Sequence, residues 1–322
     1  MANDTVAVIG AGAWGTALAQ AAAIAGRTVT LVGRDPVVIS EINDWHGNSV
    51  HLPGVTLLPT VTASATLPNA DIVILAVPAQ ASRDALLDHH ARLRGKPVVL
   101  TAKGLEHDSL KRQSEVLAEI VPDATPYVLS GPSFATDVAA GRPTAVTLAG
   151  DDAEQTSEIA AALAGPTFRP YASDDRLGVE LAGALKNVYA VGCGAVDGAG
   201  LGASARSALL ARAFAELTRL VVRMGGSAST LTGLAGLGDL TLSCTSTQSR
   251  NYRYGVSLGR GQRPGGELAE GVLTAPVAKA LADQVRIDAP LIDAVNLLLE
   301  GNTSITEIVA GLMSRPLKRE ED

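Results

Sequence analysis

Apolar positions along this chain follow two different rhythms. In the first, short runs rich in β-branched residues read as buried parallel strands: Thr5–Ile9, Thr28–Val32, Asp71–Val77, Pro97–Thr101, Pro126–Leu129, Thr144–Ala149 and Thr167–Tyr171. Longer stretches of helical period lie between several of them, one starting near Trp14 and closed by Gly26, then Gln80–Leu93 and Asp151–Ala164. From Asp174 onward the strand rhythm stops. Helical segments follow at Leu177–Val196, Ala203–Met224, Glu267–Val285 and Leu291–Glu300, the last closed by Gly301. Ser304 and Glu307, at capping-box spacing, open one more. Alternating β and α units predict a doubly wound sheet with helices on both faces, and the helical remainder predicts a second domain. The boundary is placed at Asp174-Asp175, where two acids can cap the next helix, so the expected domains are residues 1–173 and 174–322.

The first strand runs into Gly10-Ala11-Gly12-Ala13-Trp14-Gly15 and then into an alanine-rich helix. At this spacing the first glycine lets the chain turn sharply and the second lets backbone approach a pyrophosphate. The third lets helix pack closely on strand. The helix N-terminus also directs free N–H groups and a partial positive charge at an anion. Glycine-rich turns serve plain strand–helix packing as well; the strand before and the helix after are what point to a dinucleotide. The fold class is therefore α/β, an N-terminal Rossmann-type doubly wound sheet with an all-α C-terminal substrate domain. At the end of the second strand, where such folds meet the adenosine ribose, the chain reads Gly33-Arg34-Asp35-Pro36. Arg34 can pair with a 2′-phosphate, and Asp35 repels one poorly if it caps the next helix. NADP is expected as cofactor without strict exclusion of NAD. The plainer reading of Arg34 is a solvated loop arginine.

Composition narrows the class. Hydrophobic residues make up 47% of the 322 residues and aromatics only 3%, so Ala, Val, Leu and Ile must build the core. The net charge of -7 argues against a nonspecific nucleic-acid binder, although a local basic cluster can still hold a phosphate. Cys193 and Cys244 are far apart and lack C-x-x-C spacing, so neither a zinc site nor a disulfide framework is expected, and a reducing, cytoplasmic location follows. Met1-Ala2-Asn3-Asp4 lacks the basic and apolar regions of a signal peptide, and no uninterrupted apolar run reaches bilayer length. Gly261–Gly266 reads as a flexible loop and Lys318–Asp322 as a disordered tail.

Candidate chemistry lies at strand ends and in the helical part. Lys103-Gly104 follows the Pro97–Thr101 strand, at the edge where α/β sheets bind ligands. Ser130-Gly131-Pro132-Ser133-Phe134 turns from a strand into a short helix for which Ser133 is a plausible N-cap. Lys186 and Asn187 sit in mid-helix among small apolar residues, with Glu180 the only other charge close by. A helix lysine is ordinarily a snorkelling surface group. Buried, it can have its pKa drawn down by desolvation or other cations, which suits acid–base work. Gly233-Leu234-Ala235-Gly236-Leu237-Gly238-Asp239 is a tight glycine turn that presents one carboxylate. The stretch from Ser243 through Ser249-Arg250-Asn251 reads as a loop of hydroxyls, an arginine and an amide before a helix, a setting that suits phosphate.

Taken together, Gly10-Ala11-Gly12-Ala13-Trp14-Gly15-Thr16-Ala17-Leu18-Ala19, Lys103-Gly104, Ser130-Gly131-Pro132-Ser133-Phe134-Ala135, Gly183-Ala184-Leu185-Lys186-Asn187, Gly236-Leu237-Gly238-Asp239-Leu240 and Ser249-Arg250-Asn251 stand in a telling order. In that order they resemble the bacterial NAD(P)-dependent glycerol-3-phosphate dehydrogenases, from residue 5 to about residue 313. The resemblance implies a homodimer that reduces dihydroxyacetone phosphate to sn-glycerol 3-phosphate for phospholipid synthesis. It implies cofactor contacts from Gly10, Gly12, Ala13, Trp14, Gly15, Arg34, Lys103 and Ala135, with Arg250 and Glu270 closing over the cofactor. Lys103, Gly131, Ser133, Lys186, Asp239, Ser249, Arg250 and Asn251 would line the small phosphorylated substrate. Lys186 would act as acid, Lys103 as electrostatic support, and Asp239 with Asn187 would orient the lysine or a substrate hydroxyl. No metal is needed where two lysines supply the positive field. Ala13 stands where serine is common in that family, and His51 where an aromatic is frequent. Two rivals remain at this point, a two-domain NADP-dependent hydroxy-acid dehydrogenase and a non-catalytic nucleotide-sensing module.

Arg34 yields a direct expectation. Arg34→Asp places a carboxylate at the ribose and shifts the ratio of kcat/KM values from NADPH toward NADH. An unchanged ratio would make Arg34 a bystander.

Overall fold

Eight strands form one sheet in the computed structural model, which describes residues 4–262, 265, 269–316 and 319. Met1–Asn3, most of the 318–322 tail and parts of the 261–268 segment, including the expected helix start at Glu267, lie outside the described residues. The strands are β1 (Thr5–Ile9), β2 (Thr28–Val32), β3 (Val61–Ser64), β4 (Ile72–Leu75), β5 (Pro97–Leu100), β6 (Thr125–Ser130), β7 (Thr144–Ala149) and β8 (Phe168–Ser173). Their order is β3-β2-β1-β4-β5-β6-β7-β8. Neighbours run parallel except β6 and β7, which are antiparallel. β3 is not visible in the apolar pattern, because this four-residue edge strand buries only Val61 and is otherwise Thr, Ala and Ser.

The central strands are apolar throughout because both sheet faces are covered. On β1, Val6 and Val8 face one core with α1 (Ala13–Ile24), while Ala7 and Ile9 face the other with Leu86 of α3 (Ser82–Leu93) and Leu117 of α4 (Gln113–Ile120). Strand order reverses between β1 and β4, which opens a crevice beyond their C-terminal ends, the usual ligand position in such sheets. The helix α2 (Pro36–Trp45) starts with Asp35 as its N-cap, accepting from the Val37 N–H at 2.8 Å. Asp35 thus serves the cap that the sequence suggested. The short α5 (Ala135–Ala139) differs from expectation: Phe134 is its N-cap, and the Ser133 hydroxyl instead donates to the Gly131 carbonyl at 3.0 Å. α6 (Ala153–Leu163) precedes β8.

The chain divides into two compact units, Met1–Ala184 with Gly225–Asp239, and Leu185–Met224 with Leu240–Asp322. The division falls later than the Asp174-Asp175 boundary drawn from the sequence, for two reasons. The helix α7 (Arg176–Gly198) is continuous through residue 184. Its start is also tied into the first unit. Asp175 caps it at the Gly178 N–H (2.8 Å) and holds the Ser227 N–H (2.8 Å) and the Thr230 hydroxyl (2.6 Å). Glu180, one turn on, accepts from the Ser114 N–H (2.9 Å) and hydroxyl (2.6 Å) and from Arg112 (3.4 Å). Burial nevertheless pushes its carboxyl above the ordinary value.

The second unit is helical: the rest of α7, α8 (Gly202–Arg223), most of α10 (Asp239–Thr245, which follows the short α9, Ala228–Leu231, of the first unit), α11 (Arg250–Gly259), α12 (Glu270–Gln284), α13 (Pro290–Glu300) and α14 (Ile305–Met313). Its organising contact is backbone on backbone. A Cβ on Gly194 or Gly198 of α7 would lie 2.0 or 2.2 Å from the carbonyl oxygen of Tyr252 or Val256. On Gly255 or Gly259 of α11 it would lie 2.0 or 2.1 Å from that of Val191 or Ala195. Only glycine permits the two helices to come this close. Among the described residues no helix is long and apolar enough to cross a membrane.

Glu216 of α8 caps α13 from outside, accepting from the Leu291 N–H (2.9 Å) and the Ile292 N–H (3.0 Å). Burial outweighs those donors and lifts its carboxyl from 4.5 to about 7. A raised acid binds its proton more tightly in the folded chain, so stability falls as pH rises from about 4.5 through about 7. The loss over that window is at most about 3 kcal/mol. Melting curves should therefore fall more steeply between pH 5 and 8 for the wild type than for Glu216→Gln; parallel curves would refute the assignment.

Candidate functional site

Within the first unit, the β1–α1 turn has the geometry its glycines imply. Gly10 has φ +113°, and a Cβ on it would lie 2.8 Å from the Ala76 carbonyl oxygen. A Cβ on Gly15 would lie 1.9 Å from the Gly10 carbonyl oxygen, so α1 sits directly against the strand end. A Cβ on Gly12 would meet nothing within 4 Å. Gly12 is also the N-cap of α1, and no side chain caps that helix end. An open face beside uncapped N–H groups fits a pyrophosphate. Ala13 and Trp14 form the first turn of α1, partly buried. Arg34 is exposed just past β2, and Ala135 opens α5, which packs on α1.

The same unit assembles a charged cluster. The Lys103 ammonium donates to Asp239 Oδ2 at 2.7 Å and to the Gly131 carbonyl at 2.9 Å. The Asp239 side chain is 1% exposed and that of Lys103 18%. Three segments distant in sequence meet here for local reasons. Lys103 follows β5. Gly131 follows β6 at φ +142°, where a Cβ would press on Val146 Cα at 2.9 Å. Asp239 follows the tight turn Leu234–Gly238, in which a Cβ on Gly236 would lie 2.1 Å from the Leu231 carbonyl oxygen. Gly183 leaves room for Ser130, whose hydroxyl would lie 2.6 Å from a Cβ there. Removing Lys103 would leave the buried Asp239 carboxylate without its counter-charge, a loss that typically costs about 3–5 kcal/mol in a fully buried pair and less here because Lys103 is partly exposed.

The second unit holds the other candidates. Lys186 is 5% exposed, and its ammonium donates to the Ser243 hydroxyl at 2.7 Å. The sequence pattern reads Ser243 as loop; the structure places it in α10, since Asp239–Thr245 holds no Gly or Pro to break a helix. That missing breaker is the signal in the sequence that puts Ser243 on a helix. Ser249 is the N-cap of α11, its hydroxyl accepting from the Tyr252 N–H at 3.3 Å. Arg250 is the first residue of that helix and is exposed. Asn251, nearly buried, accepts from the Gly271 N–H at 2.8 Å, and a Cβ on Gly271 would lie 2.3 Å from the Asn187 carbonyl oxygen. Glu270 begins α12 next to that contact. Arg253 donates to the Thr247 and Gln248 carbonyls at 2.7 and 3.0 Å, which closes the loop that leads into Ser249.

Two family models match nearly end to end. Residues 5–156 match the N-terminus of NAD-dependent glycerol-3-phosphate dehydrogenase, and residues 175–310 match its C-terminus. The chain belongs to this family. A glycerol-3-phosphate dehydrogenase (NAD(P)+) of Caulobacter vibrioides is 49% identical over 330 residues, covering 99% of this chain and 100% of the relative. One of Brucella ovis is 49% identical over 328 residues, with the same coverage. The crystal structure of glycerol-3-phosphate dehydrogenase from Coxiella burnetii superposes with a TM-score of 0.90 at 35% identity, over 97% of this chain and 99% of that one. Membership sets the family reading above the hydroxy-acid dehydrogenase and nucleotide-sensor alternatives, and makes the chain an NAD(P)-dependent oxidoreductase.

Proposed function

We propose that the chain reduces dihydroxyacetone phosphate to sn-glycerol 3-phosphate with NAD(P)H. The observation that carries the site reading is the buried ammonium of Lys186, a costly group to keep on an apolar helix and one held in place by the Ser243 hydroxyl. When bound, the reduced nicotinamide supplies a hydride to the ketone carbon. Lys186 donates the proton to the carbonyl oxygen, where negative charge develops. Lys103, fixed by Asp239 and the Gly131 carbonyl, stabilises that charge, and Asn187 supports the orientation of the reacting groups. Gly131, Ser133 and Ser249 supply polar groups to the substrate. Arg250 and Asn251 at the start of α11 hold the phosphate. Gly10, Gly12, Ala13, Trp14 and Gly15 receive the cofactor's pyrophosphate region, Arg34 its adenosine end, and Lys103, Ala135, Arg250 and Glu270 the rest. The product feeds glycerophospholipid synthesis, in a cytoplasmic homodimer. Cys193 and Cys244 are both buried and lack C-x-x-C spacing, which supports a reducing compartment. Oxidation of NADPH by purified protein on addition of dihydroxyacetone phosphate tests the reaction; no change in absorbance at 340 nm would overturn it.

Lys186→Ala should bind cofactor normally and lose turnover by about a hundredfold or more, the usual contribution of a positioned acid. Near-normal kcat in the purified variant would remove Lys186 from that role.

Arg250 should be where phosphate binding is turned into rate. Wild type and Arg250→Ala are each assayed with dihydroxyacetone phosphate and with dihydroxyacetone. The substitution should cost about 2–5 kcal/mol of transition-state stabilisation with the phosphorylated substrate and little with the bare one. Arg250→Lys should remain clearly impaired, because it keeps the charge and loses the planar fork. Equal losses on both substrates would assign Arg250 to the cofactor or the fold.

A further inference from the structure

Between α2 and β3 the chain crosses the start of α1 as a strap, and Asn48 lies at its centre. Asn48 is 1% exposed. Its amide nitrogen donates to the Ala11 carbonyl at 3.0 Å and to the Thr16 hydroxyl at 2.8 Å. Its amide oxygen accepts from the His51 N–H at 3.2 Å. The Ala11 oxygen can only accept and the His51 N–H can only donate, so one orientation of the side chain satisfies both.

The strap is anchored elsewhere without Asn48. Gln20, one turn along α1 from Thr16, accepts from the Leu58 N–H at 2.9 Å and donates to the Thr56 carbonyl at 3.4 Å. Leu52 and Leu57 are 2% exposed and belong to the core under α1. The bond to Ala11 therefore does something more specific than hold the strap down. It lands on the Ala11–Gly12 peptide, the second of the two that join the first two glycines of the turn. Among the described residues no peptide is cis, so the Gly12 N–H points opposite to the Ala11 carbonyl. With the carbonyl drawn toward Asn48, the Gly12 N–H is turned to the other side of the peptide, at the residue whose missing side chain leaves open space.

We propose that Asn48 is a positioning residue for the dinucleotide: by holding the Ala11 carbonyl and Thr16, it sets the direction of the Gly12 N–H and of the first turn of α1 toward the pyrophosphate. The inference rests on the reading of Gly10–Gly15 as the pyrophosphate site. A pyrophosphate is common to both cofactors, so the effect must be common too, unlike that of Arg34.

Asn48→Ala removes all three side-chain bonds. Asn48→Asp keeps an oxygen for the His51 N–H and loses the donor to Ala11. Fluorescence titration should show each variant binding NADPH and NADH about tenfold more weakly, with their affinity ratio unchanged. The KM for dihydroxyacetone phosphate and kcat at saturating cofactor should stay within about twofold. Wild-type affinity for both cofactors in either soluble variant would overturn the proposal, even with a lowered melting temperature. Failure of both variants to fold would also overturn it, since the strap would then depend on Asn48. Gly12→Val separates the two readings, because Gly12 has φ -75° and ψ -179°, a backbone valine tolerates, and its side chain would fill the open space. Intact NADPH affinity in Gly12→Val would reject the pyrophosphate site itself. Lost affinity there, with normal affinity in the Asn48 variants, would reject only the role of Asn48.

Discussion

Backbone packed on backbone at glycine is the constraint on which both units depend. In the first unit, α1 meets β1 so closely that a Cβ on Gly15 would sit 1.9 Å from the Gly10 carbonyl oxygen. That contact brings a helix N-terminus to the end of a strand at the reversal point of the sheet, with Gly12 open beside it. In the second unit, α7 and α11 approach through Gly194, Gly198, Gly255 and Gly259, each opposite a carbonyl oxygen of the other helix. This places the start of α11, with Ser249, Arg250 and Asn251, at a fixed height along α7. A side chain at Gly15, Gly194, Gly198, Gly255 or Gly259 would have to push two elements apart, and the polar groups they carry would move with them.

Buried charge is handled by hydrogen bonds drawn from several segments. Asp239 is buried against Lys103, and Lys103 also meets the Gly131 carbonyl. Glu180 is buried against Ser114 and Arg112, and Glu216 against two helix N–H groups. These clusters differ in what they can do. Glu180 and Glu216 each meet the N-terminal turn of another helix and act as caps supplied from outside it. The Lys103 cluster joins the ends of two strands to a glycine turn, at the sheet edge where such folds take ligands. An ion pair in that position fixes the direction of the Lys103 ammonium, which in the proposed reaction faces the developing oxyanion.

The chain's own sequence determined the alternation of strand and helix, the glycine spacing of the β1–α1 turn, the capping roles of Asp35 and Ser304, and the helical character of the described residues after β8. Each depends on residues within a few positions of one another, and local sterics and periodicity act over that range. The motifs bearing Lys103, Lys186 and Asp239 were legible too, as unusual polar residues in small, apolar or glycine-rich settings, and Arg250 as an arginine among hydroxyls and amides ahead of a helix. Tertiary structure alone decided the partners. It paired Lys103 with Asp239 across 136 positions, turned Ser133 from an expected cap into a donor to Gly131, and brought Ser243 to Lys186. It also added β3 at the sheet edge and carried Asn48 onto the Ala11–Gly12 peptide. Those choices depend on which strand lies beside which and how closely two helices approach. Such distances are set by the packing of the whole unit, and a linear pattern of apolar and polar residues does not contain them.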